Sequence, residues 1–195
     1  MVSYSMDAKA FIALLVGLIT ALIALIGYWN THYLQRRDRR ALMYAEAVAA
    51  MRAYEQAPYL VRRRADSSGS TRAALAAQLI EANTRVSFNE KLLLMDSLPV
   101  GTAYRLLLEV TRSQLSRYRD EAWQTPVMTA DDEVPRSTLQ YPYDNEPEWR
   151  LCISAMQREL TFRGWTRRQE TLRECQTVIG RRTPPCGLQP PEHWP

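Results

Sequence analysis

The chain has 195 residues, 46% of them hydrophobic, and a formal net charge of +4. Three cysteines and two histidines, none in a short ligand spacing, exclude a disulfide-stapled scaffold and give no basis for a histidine metal centre or a base-activated nucleophile. Seven glycines, none in a phosphate-cradling loop, leave no nucleotide-binding signature, so a non-enzymatic, cofactor-free protein is the expectation.

Residues 1–9 are read as a short extracytoplasmic head. From Ala10 to Trp29 there is no charged residue. Twenty helical residues at 1.5 Å each cover a hydrocarbon core about 30 Å thick, so this stretch is expected to be a transmembrane helix. Its small residues fall in one register: Ala10, Ala13, Gly17, Thr20, Ala24 and Gly27 recur at spacings of 3 and 4. Lipid supplies no hydrophobic drive for helix association, so close backbone approach over small side chains is what brings such helices together. The stripe predicts a packing face, with self-association into a homo-oligomer as the favoured use and left-handed, nearly parallel crossing. No small-x-small cleavage site follows the apolar run, and Tyr28-Trp29 is an interfacial aromatic pair, which argues for a retained anchor over a cleaved signal.

Behind the span come Arg36, Arg37, Arg39 and Arg40, whereas ahead of it lie only Asp7 and Lys9 beside the amino terminus. The positive flank predicts an inner (plasma) membrane protein with its amino terminus outside and its carboxyl-terminal domain in the cytoplasm. The same arginines are expected to attract anionic membrane lipid. Arginine outnumbers lysine 23 to 2, as a GC-rich bacterial genome would produce.

Residues 30–182 are expected to form an all-α cytoplasmic bundle of about four helices. No glycine or proline interrupts Asn30–Gln56, so the membrane helix is expected to continue as one rod and to stop near Ala57, ahead of Pro58. Arg62, Arg63 and Arg64 open a solvated turn and form a candidate patch for an anionic partner, and Ser70 or Thr71 is expected to cap the next helix. That helix, 71–97, carries Leu75, Leu79, Ala82, Val86 and Leu93 on one face with Asn89 among them, and Leu98-Pro99 is expected to break it. A third helix, Val100 to Gln124, places Tyr104, Leu107, Leu108, Thr111, Leu115, Tyr118 and Ala122 on one face. A fourth, Pro147 to Ile179, has its apolar pattern shifted near Gly164, a sign of a kink or a new packing partner.

Between the third and fourth helices, about residues 125–146, lies an irregular acidic loop in which Tyr141, Pro142 and Tyr143 are expected to dock onto the bundle. Residues 183–195 read as a Pro-rich tail. Asp120–Glu148 holds eight acids and one arginine, while Asn30–Arg64 and Trp149–Arg182 each hold eight arginines and three acids, so the acidic segment is expected to lie over basic helices. No nucleic-acid-binding motif is present, which argues against nucleic acid as partner. The functional expectation is a self-associating scaffold or membrane effector controlled by its cytoplasmic domain. The alternative is a passive anchored adaptor that recruits an unknown protein partner through the bundle, loop or tail.

Overall fold

A computed structural model of the chain describes residues 8–127, 143–161 and 164–182. The described residues are mostly helical, with no strand among them. The first helix, α1, runs from Ala8 to Glu55. The chain divides into two compact units, Met1–Leu42 and Met43–Pro195. In the first unit the described side chains from Phe11 to Leu42 are exposed, apart from half-buried Tyr33 and Arg40.

In the second unit the core begins at Tyr44, and Ala47, Ala50, Met51 and Tyr54 follow at helical spacing. α1 ends at Glu55, two residues ahead of Ala57, and Pro58 lies in the first turn of a new short helix, α2 (Ala57–Arg62). The first turn of a helix asks for no proline N–H, so Pro58 starts a helix here instead of merely stopping one. The cap of α3 (Gly69–Asp96) is Ser68, not Ser70 or Thr71: its Oγ accepts from the Thr71 amide at 3.2 Å, and Asp66 accepts from both the amide and the hydroxyl of Ser68.

A single extended residue, Ser97, separates α3 from α4 (Leu98–Gln124). Pro99 again sits in a first turn, so Leu98-Pro99 begins the third predicted helix as well as ending the second. Gly101 lies in α4 where it faces α3, and a Cβ placed on it would come within 2.6 Å of Leu94 Cα and backbone N. The expected face of α4 is the buried one: Tyr104, Leu107, Leu108, Thr111, Leu115 and Ala122 are buried and Tyr118 is half-buried. α4 is the hub of the unit, packing against α2, α3, α5 (Glu146–Glu159) and α6 (Arg168–Arg182).

The shift near Gly164 is a full interruption. A 3-10 turn, Gly164–Arg167, separates α5 from α6. The two helices are joined by paired forks: Arg158 gives Nη1 and Nη2 to the two Glu174 oxygens at 2.8 and 3.0 Å, and Arg168 gives Nε and Nη2 to those of Glu159 at 2.7 and 3.0 Å. Cys152 and Cys175 are buried, and burial pushes their thiols up to about 12 and about 11. Both stay protonated at neutral pH and behave as core residues. Cys186, the tail at 183–195, Tyr141, Pro142 and the acidic groups Asp131, Asp132 and Glu133 lie outside the described residues.

Candidate functional site

The candidate packing face stays together on α1. Ala13, Gly17, Thr20, Ala24 and Gly27 are all exposed, with Ala10 one turn earlier in the same helix. A Cβ at Gly17 or Gly27 would meet nothing within 4 Å. The one hydroxyl in the stripe is already satisfied, because Thr20 Oγ1 donates to Val16 O at 2.9 Å, so the whole face presents apolar surface. Around it eleven large apolar side chains, from Phe11 to Ile26, are exposed between 43% and 66%. The mean hydropathy of the most apolar 18-residue window is 2.6, and none of that window is buried.

The flanking arginines Arg36, Arg37 and Arg39 are exposed and Arg40 is half-buried. The triplet at 62–64, by contrast, does not act as one solvated turn. Arg63 stacks over the Tyr59 ring with its carbon 4.6 Å from the centroid, and Arg62 is half-buried with its Nε enclosed. Arg64 turns inward and closes the end of α4: Nη1 donates to Ala122 O at 3.0 Å, and Nη2 to Thr125 O at 2.7 Å and Trp123 O at 3.4 Å. A helix leaves its last carbonyls without partners, and a cation there is favoured by the dipole as well. Arg64→Met should therefore destabilise the unit by about 2 kcal/mol, since the carbonyls of Ala122, Trp123 and Thr125 lose their donors, a loss that removal of the unpartnered Nε offsets only in part. Thermal unfolding followed by near-ultraviolet circular dichroism should show a fall of about 6 °C; a change within about 1 °C would mean that water caps α4 equally well.

A polar node that sequence reasoning missed sits at the end of α1. Glu55 is buried, and its Oε1 accepts from Trp149 Nε1 at 2.7 Å and from Asn145 Nδ2 at 2.8 Å, while Oε2 accepts from Arg52 at 3.0 Å. Asn145 also donates to Thr111 Oγ1, and the Tyr143 hydroxyl donates to Glu55 O at 2.9 Å. The node joins α1, α4, α5 and the chain entering α5. Tyr143 thus docks on the bundle, edge-on to Tyr118 at 5.2 Å. Arg52 lies 4.1 Å from the centre of the Trp149 ring, at the edge of an open groove of about 370 Å³ lined also by Val48, Ile153, Ser154 and Gln157. The node has acceptors and donors in balance, which suits holding elements together more than moving protons. Among the described residues, no group of three or more His, Cys, Asp or Glu side chains could hold a metal ion.

No protein-family model, no curated protein and no solved structure matches the chain.

Proposed function

We propose that this chain is a single-pass membrane protein that self-associates through the small face of α1 and works without catalysis, as a scaffold or membrane effector controlled by its helical domain. The observation that carries the reading is the exposed apolar surface between Phe11 and Ile26. Eleven Leu, Ile, Val and Phe side chains favour insertion by about 5 kcal/mol in total, whereas in water the same side chains would stand uncovered. The six small positions in one register support a second helix as the neighbour. The arginines at 36, 37, 39 and 40 support a bacterial inner-membrane topology with the domain in the cytoplasm.

Gly17→Ile isolates the association step, because a side chain at Gly17 meets nothing within its own chain. In lipid nanodiscs the wild type should have the particle mass of a defined oligomer, and Gly17→Ile and Ala24→Ile should weaken it about tenfold or more. A monomeric wild type would remove self-association from the proposal. If the assembled helices act on the membrane, overexpression should depolarise cells, and Gly17→Ile should abolish that.

The groove beside Arg52 and Trp149 favours a second reading, an anchored adaptor that recruits a soluble protein. Unimpaired cells, together with a partner that is captured by wild type and lost on Trp149→Ala, would favour the adaptor.

A further inference from the structure

At the carboxyl-terminal end of the apolar run, Tyr28, Trp29, His32, Tyr33 and Arg36 line an open concavity of about 440 Å³ on one side of α1. We infer that this concavity binds the headgroup of an anionic glycerophospholipid, a deepening that rests on the membrane reading of α1. The five residues sit at i, i+1, i+4, i+5 and i+8, so they share one face. Tyr28 and His32 meet edge to face at 4.5 Å, which braces the near wall, and Trp29 stands 72% exposed beside them. Every polar group in this wall can donate: two phenols, an indole N–H, an imidazole N–H and a guanidinium. A phosphodiester is the complementary ligand, because it offers only acceptors and a negative charge, and the guanidinium fork matches it in shape. Aromatic rings of this kind rest at headgroup depth, where one end is apolar and the other wet.

Position around the helix separates this face from the packing stripe. At 100° per residue the mean direction of the five side chains lies roughly 130° from that of Ala13, Gly17, Thr20, Ala24 and Gly27. A second helix on the small face therefore leaves the concavity open to lipid. The charges divide in the same way: Arg40 falls one turn beyond Arg36 on the aromatic side, Asp38 falls on the side of the stripe, and Arg37 points about 100° away from Arg36. Charge on this segment is thus placed for a lipid on one side and a helix on the other.

Trp29 is also the reporter. Full-length protein would be reconstituted in phosphatidylcholine vesicles containing about 10 mol% phosphatidylglycerol, with bromine on the chains of one lipid or the other and Trp29→Phe as the blank. Brominated phosphatidylglycerol should quench Trp29 as if enriched about threefold to fivefold over its bulk fraction, the factor expected of one near-surface basic group. Arg36→Gln should bring the enrichment close to one, and Arg37→Gln should leave it nearly intact. Equal losses in the two variants would overturn the site in favour of a diffuse surface potential. A wild type quenched only in proportion to the bulk fraction would overturn it outright. Absence of quenching by either lipid is a different failure, because it removes the membrane reading of α1 and the site together.

Discussion

Gly101→Ala should cost the helical unit about 3 kcal/mol, an outsized effect for one added methyl group on an α-helix, where alanine is ordinarily the better residue. The backbone at Gly101 is ordinary helix with no positive φ, so the glycine supplies space and not conformational freedom. The added Cβ would lie 2.6 Å from Leu94 Cα, Leu94 backbone N and Leu94 Cδ2. A side-chain methyl can rotate away, but the other two atoms belong to the backbone of α3. The helices must therefore separate, and Val100, Ala103 and Tyr104, all fully buried, lose packing as they do. The expected fall in melting temperature is about 9 °C. Trimming the neighbour supplies the control: Leu94→Ala in the Gly101→Ala background removes Cδ2 but neither backbone contact, so it should recover little. A double variant as stable as Leu94→Ala alone would show that the clash is with the flexible side chain, contrary to the backbone argument.

The role of Gly101 leaves no periodic mark on the sequence, because it depends on the backbone of Leu94 in another helix. Periodicity reports which face of a helix is wet, and it found the buried face of α4 and the apolar stripe of α3. It also registered the break near Gly164, because a change of packing partner shifts the apolar phase. Even Asn89 behaves as a locally satisfied interruption, donating to Arg85 O at 3.0 Å. Ends were harder. In sequence Pro58 and Pro99 read as stops, but a proline is equally at home in a first turn, and only the backbone around it decides which. Ser68 caps α3 because Asp66 holds it, a two-residue device that the string of serines conceals. Arg64 reads in sequence as one of three solvated arginines because three of its four acceptor carbonyls lie 58 to 61 residues away, and backbone acceptors leave no mark on sequence. The apolar face of α1 was legible for the opposite reason: its apolarity is a contiguous run of its own residues and depends on no distant partner.

The other large effect belongs to Glu55. Glu55→Leu should destabilise the unit by about 4 kcal/mol, while Glu55→Gln should cost only about 1 kcal/mol. The asymmetry follows from the acceptor count. Oε1 alone serves Trp149 Nε1 and Asn145 Nδ2, and an amide oxygen in the same place can keep both. What glutamine gives up is the ion pair to Arg52, a side chain 59% exposed and therefore weakly held, and Arg52 retains its seat over the Trp149 ring. Leucine leaves the indole and one amide donor without acceptors, at about 1 to 3 kcal/mol each, in a region where water is excluded. The Tyr143 bond survives both changes because it goes to the backbone carbonyl of residue 55. Trp149 fluorescence should therefore change more in Glu55→Leu than in Glu55→Gln, and melting temperatures should fall by about 12 °C and about 3 °C. Equal falls in the two variants would place the stabilisation in the Arg52 charge and not in the shared acceptor. The predicted order makes the end of α1 a neutral-geometry clasp, in which the position of one oxygen matters more than the charge it carries.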